Sequence, residues 1–253
     1  METPASSSSR IGTFASACLV LVAACGIGEL LGGLGYRWGW WGLEPGIQTV
    51  RWSATADVVL VVLAAGAAIR AWRRRASRAL TIAFAALLLG IAIGGPPVYM
   101  LRLVARLPHI HDISTDLDNP PRFVAVLPLR QGAHNPPDYD PKIVPQQRAG
   151  YPDIAPLLLD RPPAQVFEAA ERNARAMGWD IAAAVPQEGR IEATDTSLLF
   201  GFKDDVVIRV APHGSGTQVD LRSLSRVGGS DFGVNAKRVR SYLQHLAADT
   251  AGR

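Results

Sequence analysis

The sequence predicts a three-helix transmembrane anchor followed by an α+β domain: an antiparallel four- to five-stranded sheet with two helices on one face, preceded by a Pro-rich extended arm. Three observations predict it. Apolar stretches at 11–35, 54–72 and 79–100 each approach the roughly 20 residues that a bilayer core asks of a helix. Proline recurs from Pro120 to Pro156, too often for any regular element to persist. After Arg161 a 3.6-residue period gives way to short alternating segments and then returns. The boundaries that follow are 1–106 for the anchor, 107–161 for the arm and 162–253 for the domain.

Charge separates these parts. Residues 1–106 carry a net +6, whereas the remainder carries −2, so the whole-chain +4 belongs to the membrane flanks. Nucleic-acid binding loses its electrostatic support. The connection between the second and third apolar stretches reads WRRRASR after Arg70, while the first connection, 36–53, holds only Arg37 and Arg51 against Glu44. Basic loops stay in the cytoplasm, which predicts a multi-pass protein of a bacterial cytoplasmic (inner) membrane. Its N-terminus lies inside, and the domain after the third span lies outside, in the periplasm. Tyr36, Trp38, Trp40, Trp41 and Trp52 crowd the first connection, as amphipathic rings do at a headgroup boundary.

Cys18 and Cys25 both fall in the first span, so the exported domain has no disulfide framework and no cysteine metal site. Leu21–Cys25 (LVAAC) has the form of a lipoprotein cleavage box, but the apolar run continues to Gly35, as an uncut helix would. Small residues at four-residue spacing, Gly28 and Gly32, Ala64 and Ala68, Gly90 and Gly94, predict close helix packing. Glu29 and Asp57 are the acids inside the spans. One reading is a carboxylate pair that binds a proton or cation. The other, favoured by their shallow position in the spans, is that both reach the outer headgroup region beside Arg37 or Arg51.

The arm contains one possible short strand, Phe123–Pro128, and otherwise wraps over the domain. A helix is predicted over Pro162–Met177, with Asp160 as its cap and Gly178 closing it. Four strands follow: Trp179–Val185, Arg190–Phe202 ended by a KDD turn, Val206–Ala211 and Gln218–Leu224. Their short breaks favour an antiparallel meander. The last helix, Val234–Ala247, starts after GGSDFG, where Ser230 or Asp231 can cap it.

Several motifs carry a resemblance: HDISTDLDNPPRF (His111–Phe123), YPDI (Tyr151–Ile154), GRIEATDTSLLFGFKDDVVIRV (Gly189–Val210) and VDLRSLSRVGGSDFGVNAKRVRSYL (Val219–Leu243). In these segments the chain resembles the family catalogued as domain of unknown function 1499, over essentially the whole exported part. The resemblance implies an envelope or membrane-associated role and supplies no activity, ligand or catalytic residue.

Three chemistries compete in the exported part. His109, His111 and Asp112 form an HxHD run that would offer zinc two imidazoles and a carboxylate, but a third region would have to complete the site. A solvated juxtamembrane segment is the favoured reading. Ser223 or Ser225 with His213 would be a nucleophile and base, and Asp195, Asp204 and Asp205 would be an acid/base pair, yet no GxSxG or SxxK accompanies them. The densest constellation is Arg209, Asp220, Arg222, Ser223, Ser225 and Arg226 with the turn 228–233, Asp231, Asn235 and Arg238. Guanidinium forks beside a Gly-rich helix start suit a phosphate or carboxylate. The favoured alternative is an ion-pair latch tying the last helix to the sheet, with Arg209 or Arg222 holding Asp205, Asp220 or Asp231.

The sequence therefore predicts a non-catalytic binding or scaffold domain that needs no cofactor and no metal. Its expected partners are the lipid bilayer and an envelope lipid, an anionic small molecule or a membrane protein. The rival class is an enzyme acting on a phosphorylated or carboxylated envelope substrate through the Arg-rich site.

Overall fold

Leu, Ala and Val fill the three apolar stretches, and each folds as one long helix in the computed structural model, which describes residues 4–251. The helices are α1 (Pro4–Arg37), α2 (Leu43–Arg73) and α3 (Ser77–Val104). All three are long and apolar enough to cross a membrane. α2 begins well before its apolar stretch. Pro45 falls in the first turn, where its missing N–H is not needed, and Gln48 donates to the Glu44 carboxylate at 2.9 Å. The first connection is therefore not the whole of 36–53 but the short turn around Trp38–Trp41, and Trp52 rides on a helix.

The chain divides into two compact units, one built on these three helices together with Leu199–Gly201 and the other on Val104–Leu198 and Phe202–Arg253. In the helical unit the buried positions Ile11, Ala15, Cys18 and Val22 follow a four-three spacing along α1. They meet matching layers of α2 and α3: Ile11 with Ala71 and Ala79, Ala15 with Ala67, Ala68 and Ala83, Cys18 with Ala64 and Ala86. That spacing keeps one seam facing its neighbours. A Cβ on Gly32 would lie 2.7 Å from Val50 and 2.8 Å from the Gly46 carbonyl, and one on Gly28 would collide with Ser53. The predicted small-residue spacing is thus a contact surface between α1 and α2.

In the second unit, β1 (Asp112–Ser114), α4 (Val144–Gly150) and β2 (Leu157–Leu159) precede α5 (Pro163–Ala176). The strands β3 (Asp180–Val185), β4 (Arg190–Thr196), β5 (Lys203–His213) and β6 (Gly216–Ser225) follow, and α6 (Val234–Ala251) ends the unit. The sheet is wholly antiparallel in the order β1-β6-β5-β4-β3, with β2 also on β6. β1 and β2 share the outer edge of β6 end to end: Ser114 pairs with Arg222, Leu157 with Val219. Six strands form rather than four or five because the arm itself covers the edge that β6 would otherwise expose. The predicted strand Phe123–Pro128 is instead irregular chain leading into a 3-10 turn at Leu127–Arg130.

α5 and α6 lie on one face. Val166, Phe167, Ala170 and Ala174 of α5 and Val239, Tyr242 and Leu246 of α6 bury against Ile191, Ile208, Val219 and Leu221. The Trp179 and Tyr242 rings stack with centroids 5.2 Å apart. Pro162, not Asp160, stands at the cap of α5, where Pro163 presets the first helical φ. Gly178 does close that helix, at φ +79°. On the opposite face the arm packs Phe123 and Val126 against Val207 and Leu224.

Candidate functional site

Alternation along each strand splits the predicted constellation in two. On β6 the side chains of Asp220 and Arg222 point to the arm, while Leu221, Ser223 and Ser225 point to the helices. On β5, Asp205, Val207 and Arg209 point to the arm, while Asp204, Val206 and Ile208 point to the helices. Arg209, Arg222 and Arg226 therefore belong to one face of the sheet, and Ser223, Asn235, Asp231 and Arg238 to the other.

On the helix face, Arg238 donates from Nε to Asp195 at 2.8 Å and from Nη2 to Asp204 at 2.7 Å. Its Nη1 reaches Ser223 Oγ at 3.0 Å and Asn235 Oδ1. Ser223 donates to Asn235 Oδ1 at 2.7 Å, and Asn235 Nδ2 donates to the His111 carbonyl and to Ser225 Oγ. Asp231 caps α6, accepting from the Gly233 and Asn235 N–H groups at 3.0 and 2.6 Å. Burial pushes the Asp231 carboxyl up while those two N–H groups pull it down. Both ends of the network are satisfied, and it joins α6 to β4, β5, β6 and the residue just before β1.

On the arm face, Arg222 forks onto Asp112, with Nε to Oδ1 at 3.0 Å and Nη2 to Oδ2 at 2.7 Å. Its guanidinium lies between the Phe123 and Tyr139 rings, 4.9 and 5.2 Å from their centroids, and donates to the Pro137 carbonyl. Burial raises the Asp112 carboxyl, and the Arg222 hydrogen bond is the largest opposing cause. The Tyr139 phenol is pushed up to about 12, chiefly by burial. Asp205, wholly buried, receives Arg226 in a fork at 2.9 and 2.7 Å, Arg130, and Thr194 at 2.7 Å. Arg209 forks onto Asp220 at 3.1 and 2.7 Å and reaches Asp116 at 2.8 Å.

Each Arg of the constellation is thus held by carboxylates of its own chain. Arg209 takes Asp220, as the latch reading expected. A direct pair of Arg222 with Asp231 is overturned: those residues lie on opposite faces, and β1 brings Asp112 to Arg222 instead. Sequence reasoning missed Asp112 in this role because it favoured a solvated juxtamembrane segment for the HxHD run, whereas Asp112 is buried in β1. It also read KDD as a turn, whereas Asp204 and Asp205 are buried inside β5 and the turn lies at residues 197–201, with Ser197 N–H bonded to the Phe202 carbonyl.

Glu192 was not singled out at all. Its buried carboxylate accepts from three successive N–H groups, Val124, Ala125 and Val126, at 2.9–3.0 Å, and pairs with Arg190. The anion-binding nest that this backbone forms is filled by the protein itself. A carboxylate flanked by strand residues gave no sequence signal of that role.

The hydrolytic reading does not assemble. His213 pairs with Gly216, roughly 23 Å along the strand from Ser223 at 3.3 Å per residue. Asp195 and Asp204 do face one another across β4 and β5, but Arg238 bridges them, and Asp205 points to the other face. His111 Nδ1 lies 3.4 Å from the Gly229 carbonyl, and no group of three His, Cys, Asp or Glu placed to hold a metal occurs among the described residues.

With this geometry in hand, residues 112–246 match the family described as a protein of unknown function, DUF1499. The chain belongs to that family. No curated protein matches it. The matched segment begins at β1, so the DUF1499 unit includes most of the arm as well as the domain: β1 supplies Asp112, and the arm supplies the backbone that meets Glu192, Arg222 and Arg226.

In the helical unit, Asp57 is wholly buried where α2 packs on α3, and neither of its oxygens has a side-chain hydrogen-bond partner. Glu29 is half-buried, with Oε1 enclosed and likewise without a partner.

Proposed function

We propose that this DUF1499 protein is a non-catalytic binding or scaffold protein of the bacterial envelope, held by three spans in the cytoplasmic membrane with its domain outside. One observation carries the non-catalytic reading. Arg209, Arg222, Arg226 and Arg238, the groups best suited to an anionic substrate, each fork onto or bridge carboxylates of the same chain. A substrate anion would have to displace a buried carboxylate and leave it unpaired, at several kcal/mol. The topology rests on the basic connection from Arg70 to Arg78 and the positive-inside rule. The partner this supports is an envelope lipid or a membrane protein engaged by the outer surface of the domain.

Native mass spectrometry of the full-length protein, released from detergent, tests the reading. Retained phospholipid or a co-purified membrane protein is the expected result. A stoichiometric phosphorylated or carboxylated metabolite, lost on Arg238→Ala or Arg209→Ala, would establish the enzyme reading instead. For topology, alkaline phosphatase joined after Arg253 should be active, and a reporter that works only in the cytoplasm should be silent.

A further inference from the structure

We propose that Asp57 and Glu29 form an intramembrane site for a small monovalent cation, a proton or sodium. Asp57 is 0 % exposed, and both of its oxygens lack a hydrogen-bond partner. An ionised carboxylate in that state is strongly unfavourable inside an apolar bundle, so its charge has to be matched by something that enters.

The space around it is shaped for a carboxylate. A Cβ on Gly94 would collide with Oδ2, and one on Gly90 would lie 3.3 Å from Oδ1. Glycine at both positions is what lets the Asp57 side chain lie against α3. From α1, Glu29 brings a second carboxylate with an enclosed, unpartnered oxygen. Cys25 stands one turn along α1 from Glu29, and Ser53 one turn along α2 from Asp57, its hydroxyl against Gly28. α3 carries no charged residue between Arg78 and Arg102. Arg51 lies six residues back along α2, about 9 Å of helix rise away.

The same geometry limits what can bind. The full enclosure of Asp57 admits a proton or a dehydrated monatomic ion. Three unpartnered oxygens and one hydroxyl fall short of the six to eight oxygen ligands that calcium takes. A monovalent charge offsets Asp57 without that shell.

The test is thermal denaturation of the full-length protein in detergent at constant ionic strength, with choline replaced stepwise by sodium at several fixed pH values. Each tenfold rise in the bound cation should raise Tm by about 3–6 °C. The slope should vanish in Asp57→Asn and shrink in Glu29→Gln. A slope with pH alone assigns the proton, and a sodium slope at alkaline pH assigns sodium. If wild type and Asp57→Asn show the same slopes in both titrations, the proposal is overturned. Where Asp57→Asn does not fold, Gly94→Ala, whose methyl displaces the carboxylate, must flatten the same slopes; unchanged slopes there overturn the site equally.

Discussion

Asp205 in the DUF1499 unit and Asp57 in the helical unit are equally buried, yet their surroundings are opposite. Asp205 meets two guanidinium groups and a threonine hydroxyl. Asp57 lies against Gly90 and Gly94 of α3 and meets no guanidinium or hydroxyl donor. A sheet covered on both faces brings strands and arm together from distant parts of the chain, so donors can be recruited to any buried acid. Three antiparallel helices of Ala, Leu and Gly have their N–H groups already used within each helix. The same side chain is therefore a structural latch in one unit and an unpartnered carboxylate in the other.

The comparison can be broken most readily at Asp205. Asp205→Ala leaves Arg130 and Arg226 buried without their carboxylate and should destabilise the unit by about 3–5 kcal/mol, near the top of that range. Thermal or denaturant unfolding of the full-length protein measures it. A loss under 1 kcal/mol would show that the guanidinium groups find water, and the contrast with Asp57 would collapse.

Next in size is Arg222→Ala, expected to cost about 3 kcal/mol because Asp112 is left unpaired. A cycle with Asp112→Ala should show strong coupling. The cycle with Asp231→Ala should be additive within ~0.5 kcal/mol, since the two residues share no partner and face opposite sides of the sheet. Coupling to Asp231 would mean that α6 and the arm face move as one.

Glu192→Gln keeps the shape but removes the charge that three N–H groups and Arg190 address. A loss of about 1.5–3 kcal/mol is expected, together with faster amide exchange at Val124, Ala125 and Val126. Unchanged exchange would mean that the arm is held there by Phe123 and Val126 alone. Asp231→Ala removes the cap of α6 and should cost about 1 kcal/mol.

The smallest effect concerns Arg240 and Asp153, whose forked pair lies at 2.5 and 2.7 Å but is largely exposed. The Arg240 hydrogen bond holds the Asp153 carboxyl below the usual carboxylate range. The pair therefore contributes above the unfolded-state pKa of about 3.9, and the contribution is lost as pH falls further toward the depressed folded value. Solvent screening limits it to ~0–1 kcal/mol. Arg240→Ala should be nearly silent at pH 7, and a loss as large as that of Arg222→Ala would erase the distinction between buried and exposed pairs.

Much of this architecture is legible along the chain. Apolar length marks the three helices, alternation and turn residues mark β3 to β6, and Gly178 and Asp231 mark helix ends where the structure has them. The misreadings share one cause. KDD looks like a turn because two adjacent acids are rarely buried. Here the strand's alternation sends one to Arg238 and the other to Arg130 and Arg226, on opposite faces. HxHD looks like a solvated segment because its carboxylate's true partner is 110 residues away.

By itself the sequence determined the apolar helices, the two-layer α+β pattern, the sign of each flanking charge and the density of Arg near the last helix, because these are properties of neighbours in the chain. Only the tertiary structure decided that the arm supplies two strands, that the Arg cluster is divided by the sheet, and which acid each Arg holds. Those depend on register and on which residues a fold brings within 3 Å, and a shift of one residue in a strand sends every side chain to the other face. The same holds for Asp57. Its place on α2 was legible in the chain, and the packing of α2 against Gly90 and Gly94 decided that its carboxylate is buried without a side-chain partner.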